Sequence, residues 1–438
     1  MNPPAGNLPH GKRPATVLVS VNFLDGLDWG ILIGALSLLQ KEWGFSDSWG
    51  GAIATAATVA GLLALLPAGW MADHLPRARV LALVVASWAL FQGLSAGSVA
   101  FWMFVLTRVL LGAAAHVDNP LASSLLADYY PPAVRGRVYA YQRLAHILGT
   151  AAGIGVGGAV GDVLGWRAAF LVTIPPSLLV AGLAFMLREP PRGALDHAPG
   201  TAEALSAADG VHVPRPDGVA DFLRQFRATL HIPTVRRLYA GLTVAFLGFN
   251  GIAYWLPSFW ERQHGLSEGE AGALTAGVAV VSAIGGSVLG GVIGDRWNAR
   301  RAGGRIDLVV ISLISGAAAL MIALLLPGLG PQAAMLGLAA FLLTISFPNF
   351  AAAAADVLPA ARRGTGFALF TFLLQAGGAL GPLVVGIASD ASGDLGLAIG
   401  VSVVPAIPGA LYVLGARRTV EADQARALLP YSVPTIPT

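Results

Sequence analysis

The sequence predicts an all-α membrane protein with twelve transmembrane helices in two pseudo-symmetric six-helix bundles. Hydrophobic residues make up 55% of the 438 residues and charged residues 12%, where a soluble domain carries about 25% charged. Mean hydropathy is +0.68. That leaves too little polar surface to cover a water-soluble globule. The apolar residues fall in runs such as Val80–Leu90, Ala168–Leu187, Leu308–Leu326 and Ala334–Leu343. Runs of about 20 residues cross a bilayer as helices, which satisfy their own backbone hydrogen bonds. The third observation is a repeat. Ala127-Asp128, Pro131 and Arg135-Gly136 recur as Ala355-Asp356, Pro359 and Arg363-Gly364, at an offset of 228. Gly69-x-x-x-Asp73 with Arg77 and Arg79 recurs as Gly291-x-x-x-Asp295-Arg296 with Arg300 and Arg301, at an offset of 222. Two ordered matches at nearly one spacing mark a duplicated unit.

Spans are expected near 17–39, 50–72, 80–97, 101–128, 138–162, 166–187, 237–260, 268–292, 306–326, 331–355, 364–389 and 394–416. Residues 1–16 are then an N-terminal tail, 17–187 the first bundle, 188–236 a linker, 237–416 the second bundle and 417–438 a C-terminal tail. Basic residues crowd alternate connections: Arg77 and Arg79, Arg135 and Arg137, the linker, Arg296 to Arg305, Arg362 and Arg363, and both tails. The other connections hold only Lys41, Arg167 and Arg262. Positive residues stay on the cytoplasmic side, so both termini and the linker are expected there, in a plasma or inner membrane. The pI near 9.4 is accordingly a topology signal with some attraction to anionic lipid, and no nucleic-acid partner is expected. Within the linker, Val219–Leu230 places apolar residues at helical spacing with arginines opposite. It suits either a helix on the membrane surface or a plain tether.

Met1–Thr16 lacks an apolar core ending in a cleavage site, so no removable signal peptide is expected. Cysteine is absent, which excludes disulfides, thiolate metal sites and thiol catalysis. No H-E-x-x-H, phosphate-binding loop or convergent nucleophile and base is present, so neither an enzyme nor a cofactor or metal is expected.

Six plus six helices, a basic linker and Gly-x-x-x-Asp…Arg between spans 2 and 3 resemble the major facilitator superfamily along the whole chain. Leu187-Arg188-Glu189-Pro190, Trp255-Leu256-Pro257, Gly265-Leu266-Ser267, Ala271-Gly272, Arg135-Gly136-Arg137 and Gly165-Trp166-Arg167 are similar to its Spinster branch of lipid and sphingolipid transporters. The resemblance implies a monomeric secondary transporter in which two halves rock around a central site. A proton-coupled carrier of a lysophospholipid or sphingolipid is implied first. A drug/proton antiporter or a small organic anion transporter is the alternative.

Three groups of candidate residues follow. Gly69, Asp73, Arg77, Arg79, Asp128 and Arg135, with Gly291, Asp295, Arg296, Asp356 and Arg363 in the second copy, are expected to form a cytoplasmic gate. Glycine there lets helices approach, and Asp73 would face the positive N-terminus of span 11. The alternative is that these charges only enforce topology. Ionisable residues within spans are functional candidates by default, and they concentrate in the first half. Asn22, Asp25 and Asp28 form one stripe of span 1; Arg108, His116 and Asn119 share a face of span 4. Asp28 and Asp25 are expected to couple protons. The Spinster branch has Asp-Arg where Asp28-Trp29 stands and Glu where Ala115 stands, so Asp118 or His116 is the candidate for the second protonatable group. Arg108 with Arg143, His146 and Asn22 would hold an anionic headgroup. Tyr254, Trp255, Asn349 and Gln375 would line the other wall, and Phe249, Phe347 and Phe370 suit an acyl chain. Gly149, Gly153, Gly157 and Gly161 form a small-residue ridge on span 5. The two copies are alike at their basic ends and unlike within the membrane.

Overall fold

The computed structural model describes residues 11–191, 219–301, 303–359 and 363–427. Among these residues there is no strand, and twelve helices are long and apolar enough to cross a membrane. Spans 1 to 6 are Arg13–Gly34, Asp47–His74, Arg77–Ala96, Phe101–Tyr129, Pro132–Leu164, and Trp166–Leu171 continued by Ile174–Phe185. Spans 7 to 11 are Pro233–His264, Glu268–Arg300, Gly304–Leu325, Leu329–Val357 and Arg363–Ser392. Span 12 is Leu395–Val403 continued by Ala406–Leu414. Span 6 breaks before Pro175-Pro176 and span 12 breaks at Pro405, because proline removes the backbone donor that the preceding turn needs. Span 1 was expected unbroken to residue 39. It instead ends at Gly34 and resumes as Leu36–Trp43.

Glycine brings spans 1 and 5 into backbone contact. A Cβ added at Gly149 or Gly153 would lie 2.0 or 2.2 Å from the carbonyl oxygens of Phe23 and Leu27. The ridge has a counterpart in span 1, since Cβ atoms at Gly26, Gly30 and Gly34 would lie 2.1, 2.2 and 2.2 Å from the carbonyls of His146, Thr150 and Ile154. Only glycine permits this approach. It fixes the depth at which the polar stripe of span 1 faces span 5.

Span 7 ends at Gly265, whose φ of 66° is a conformation that favours glycine. Span 8 then starts with a capping box: the Ser267 hydroxyl accepts from Glu270 N (3.3 Å), and Glu270 Oε2 accepts from Ser267 N (3.0 Å). The linker helix forms at Val219–Leu230, while 192–218 fall outside the described residues.

By contact density the chain forms two compact units. One comprises Met1–Val211, Asn250–Val280 and Ala379–Ile399; the other comprises His212–Phe249, Val281–Gly378 and Gly400–Thr438. The first unit thus joins spans 1 to 6 to the ends of spans 7, 8, 11 and 12 that lie away from the basic loops. In the second, span 9 packs on span 10 and on the second part of span 12.

Candidate functional site

The acidic stripe of span 1 meets two different neighbours. Asp25 pairs with His146 of span 5, Oδ2 to Nδ1 at 3.1 Å, with both side chains part-exposed. The glycine contacts of spans 1 and 5 set this distance. One turn on, Asp28 is buried and neither carboxylate oxygen completes a hydrogen bond. Gln92, Thr173 and Arg108 are the polar groups facing it. Arg108 is itself 3% exposed. Its guanidinium donates to Gln92 Oε1 (3.0 Å) and Ser95 Oγ (2.5 Å), and lies over the rings of Phe104 and Phe170, at 5.4 and 4.9 Å from their centroids. Arg108 therefore stands as the enclosed countercharge of Asp28, within spans 3, 4 and 6, rather than on an open wall for a headgroup. Gln92 accepts from Arg108 and faces Asp28 without completing a bond to it; it was missed in the sequence, although an amide in the apolar run of span 3 was its visible sign.

Asp118 is buried, and Asp25 is the charge that faces it. His116 is engaged elsewhere: its Nδ1 lies 3.1 Å from the Gly112 carbonyl of its own helix, and its ring packs where a side chain at Gly61 would stand. Arg143, one turn before His146 on the same face, is exposed and pairs with no described residue. Asn22 Nδ2 bonds back to the Leu18 carbonyl (3.1 Å).

The aromatic and amide residues assigned to the opposite wall are mostly committed elsewhere. Tyr254 donates to the Gly50 carbonyl and Trp255 Nε1 to the Pro382 carbonyl, each at 2.9 Å, and both rings are buried. Asn349 is buried and clamps span 10 to span 8 through the Gly290 carbonyl (2.8 Å). Gln375 is half-buried. Phe246, Phe249 and Phe347 form an aromatic cluster with centroids 5.6–5.8 Å apart.

The expected gate residues separate into two kinds. Arg77 is fully buried. It donates to Asp128, to Ser124 Oγ (2.8 Å), to Glu189 Oε1 (2.8 Å) and to the Pro190 carbonyl (3.1 Å), while Glu189 Oε2 also accepts from Ala78 N (2.9 Å). It is a staple inside the first half, tying spans 3 and 4 to the chain after span 6. In the second half Arg305 plays this part, donating to Asp356 (2.5 Å) and Asp295 (2.8 Å). Arg77 and Arg305 are 228 apart, like Asp128 and Asp356. The sequence alignment of Arg77 and Arg79 with Arg300 and Arg301 was therefore out of register, because the loop before span 9 is longer. Arg135 bonds the Ala127 and Tyr130 carbonyls and so caps span 4. Arg79 and Arg296 are exposed. The close approach expected at Gly69 and Gly291 is not made, since nothing lies within 4 Å of a Cβ at either. The side chains of Asp73 and Arg363 lie outside the described residues.

At the other end of the spans is a second set of duplicated contacts that the sequence matches did not include. All three basic residues of the sparsely charged connections are paired: Lys41 with Glu268, Arg262 with Asp47, and Arg167 with Glu42. Two of these pairs are reciprocal, for Lys41 and Arg262, and equally Asp47 and Glu268, are 221 apart. So are Ser37 and Ser258, whose hydroxyls meet at 3.2 Å. Arg262 grips Asp47 through two bonds of 2.6 Å, and Gln40 Nε2 (2.8 Å) and Ser389 Oγ (2.6 Å) add to it. Asp390 caps the start of span 2, accepting from Asp47 N (3.0 Å) and Ser48 N (2.9 Å). Glycine packing is reciprocal as well. Cβ atoms at Gly51 and Gly272 would lie 2.2 and 2.8 Å from the carbonyls of Pro382 and Ile154, and those at Gly158 and Gly386 would each lie within 2.3 Å of the carbonyl of Glu268 or Asp47. This end is closed, by contacts between residues of both sequence halves. Outside the spans, the hydrogen bond from Arg167 holds the Glu42 carboxylate below its ordinary value, and the bond to Glu268 raises Lys41.

Residues 18–382 match the Major Facilitator Superfamily. The chain is 26% identical over 333 residues to protein spinster homolog 1 of Xenopus tropicalis, covering 72% of this chain and spanning 60% of the frog protein's length. Its fold is similar to a bacterial homologue of the human lysosomal transporter Spinster in an inward-facing, unoccupied conformation, with a TM-score of 0.83 and 21% identity over 95% of this chain and 99% of that one. It is also similar to a D-xylose–proton symporter, with a TM-score of 0.68 and 17% identity over 92% and 97%. The chain belongs to the Major Facilitator Superfamily, a family of membrane transporters rather than enzymes.

Proposed function

We propose that the chain is a proton-coupled secondary transporter that works by alternating access on an amphipathic, lipid-like substrate such as a lysophospholipid or sphingolipid. The observation that carries it is the placement of five ionisable groups on adjoining faces of spans 1, 4 and 5. The Asp25–His146 pair is part-exposed beside the unpartnered Arg143, and Asp28 lies one turn away, enclosed with Arg108. An exposed guanidinium within a span is costly unless it serves a ligand and suits a phosphate or carboxylate. Whether Asp28 carries its proton decides whether Arg108 has a countercharge, and whether Asp25 carries one decides the bond to His146. Either change alters how span 1 sits on spans 3 to 5, which is the differential interaction a coupled switch requires. The Phe246, Phe249 and Phe347 cluster supplies an apolar surface for an acyl chain. Similarity to Spinster proteins favours the lipid-like substrate. The charge distribution favours cytoplasmic termini and a plasma or inner membrane.

In this mechanism the reciprocal Lys41–Glu268 and Arg262–Asp47 pairs are the closed outer gate. The exposed Arg79 and Arg296 and the open faces at Gly69 and Gly291 are assigned to the gate at the opposite side. The test is flux of labelled lysophospholipid into proteoliposomes under an imposed pH gradient. Accumulation that collapses when the gradient is dissipated supports the proposal. Movement of a small organic anion or a cationic drug with no lysophospholipid flux supports the alternative instead.

A further inference from the structure

We propose that a basic notch between spans 8, 9 and 12, remote from the transport residues, is a binding site for an anionic phospholipid of the surrounding bilayer. The notch has a volume of about 550 Å³. Arg300, Arg301 and Arg417 line its polar rim, and Trp297, Ile311 and Leu414 lie along its apolar floor. All six side chains belong to one compact unit.

Its charge is unbalanced. Asp307, at the first turn of span 9, is the lone acid of the lining. It takes Arg417 at 3.0 Å and lies 3.9 Å from Arg301. Arg300 is exposed and pairs with no described residue. Three guanidinium groups against one carboxylate leave a surplus of two positive charges at the basic end of the spans. Below them the surface turns apolar within one helical turn. Ile311, four residues after Asp307, is 50% exposed, and Leu414 and Trp297 are exposed beside it. A phosphate over an apolar groove is the chemistry of a phospholipid at the interface. Arginine pairs bidentately with phosphodiesters, tryptophan favours the headgroup level, and basic pockets between spans attract anionic headgroups. The surplus of two matches a headgroup with two phosphodiesters best. A free phosphate would use the rim and leave the floor exposed.

The test uses the full-length purified protein in detergent. Thermal unfolding is followed as diphosphatidylglycerol, phosphatidylglycerol, phosphatidylcholine, glycerol phosphate or inorganic phosphate is added, with native mass spectrometry counting bound lipid. The expected result is a rise in melting temperature with the anionic lipids, largest for diphosphatidylglycerol, and none with phosphatidylcholine or the soluble phosphates. In Arg300→Gln/Arg301→Gln the concentration needed should rise roughly 30-fold, from two basic residues near a membrane surface. Arg137→Gln, an exposed arginine at the start of span 5, should leave it unchanged. Equal shifts with phosphatidylcholine, shifts with soluble phosphate, or an unaffected double variant would overturn the proposal. If the double variant does not fold, Arg300→Gln alone carries the comparison, because its side chain holds no described residue in place.

Discussion

Arg77 donates to Asp128 across 51 positions of sequence, and Arg305 donates to Asp356 across the same 51. One arginine in each half, buried in the first and half-buried in the second, ties the start of the third helix to the end of the fourth. The copies differ in surroundings. Arg77 is enclosed and takes Glu189 as a second acid, whereas Arg305 takes the exposed Asp295.

The two staples should therefore differ in cost. Removing one member of a buried pair leaves the other charge uncompensated, at about 3–5 kcal/mol, so Arg77→Ala should lower the melting temperature sharply. Arg305→Ala, whose partners are part-exposed, should cost about 1 kcal/mol. Fluorescence-detected thermal unfolding in detergent distinguishes the two. Equal losses would mean the two environments do not differ energetically.

Substituting glycine should discriminate between facing and open positions. Gly153→Ala places a Cβ 2.2 Å from the Leu27 carbonyl, so spans 1 and 5 must separate, and overpacking of this kind costs about 1–3 kcal/mol. Gly155, two residues on, has nothing within 4 Å, and Gly155→Ala should be neutral. The same melting assay reads both, and loss of pH-driven uptake in Gly153→Ala alone would tie the contact to the Asp25–His146 pair.

Asp28→Asn should abolish uptake driven by a pH gradient while leaving exchange of preloaded substrate in place. Vesicle uptake measured with and without the gradient separates these. Undiminished coupled uptake in the variant removes Asp28 as the coupling group.

The closed end can be probed because the chain contains no cysteine. Ser258→Cys introduces a single thiol at a buried position facing Ser37. Arg262→Gln in that background removes a bidentate charge-assisted contact and should speed labelling by a membrane-impermeant maleimide by about tenfold. An unchanged rate would show that the pair does not hold this end shut.

Acid should loosen one corner of this end. Arg167 holds Glu42 below its ordinary 4.5, so the pair's stabilisation is complete above that value and drains away as pH falls through the lowered one. Wild type and Glu42→Gln should therefore differ in melting temperature at neutral pH and converge as pH drops below 4.5. A difference that stays constant would show that the ion pair with Arg167 is not the source of the effect.

The twelve spans, the duplication and the basic character of alternate loops were legible in the sequence, because hydropathy and charge bias belong to contiguous residues. Pairing is not of that kind. Arg305 lay in plain view as a loop cation, yet its correspondence to Arg77 depended on a loop length that only the folded chain fixes. Tyr254 and Trp255 read as wall residues because aromatics on a span suit either role. The structure instead directs their polar atoms to the Gly50 and Pro382 carbonyls.

By itself the sequence determined the membrane class, the number of spans, the repeat and the half of the chain that carries buried charge. Only the tertiary structure decided which charges enclose each other. It put Arg108 with Asp28 rather than on an open wall, and it made Lys41–Glu268 and Arg262–Asp47 a reciprocal set. The physical reason is that a charge in a low-dielectric interior is tolerable only beside specific partners. Those partners come from helices tens to hundreds of residues away; a glycine ridge shows in the sequence that a helix packs closely, but not which helix or at what depth.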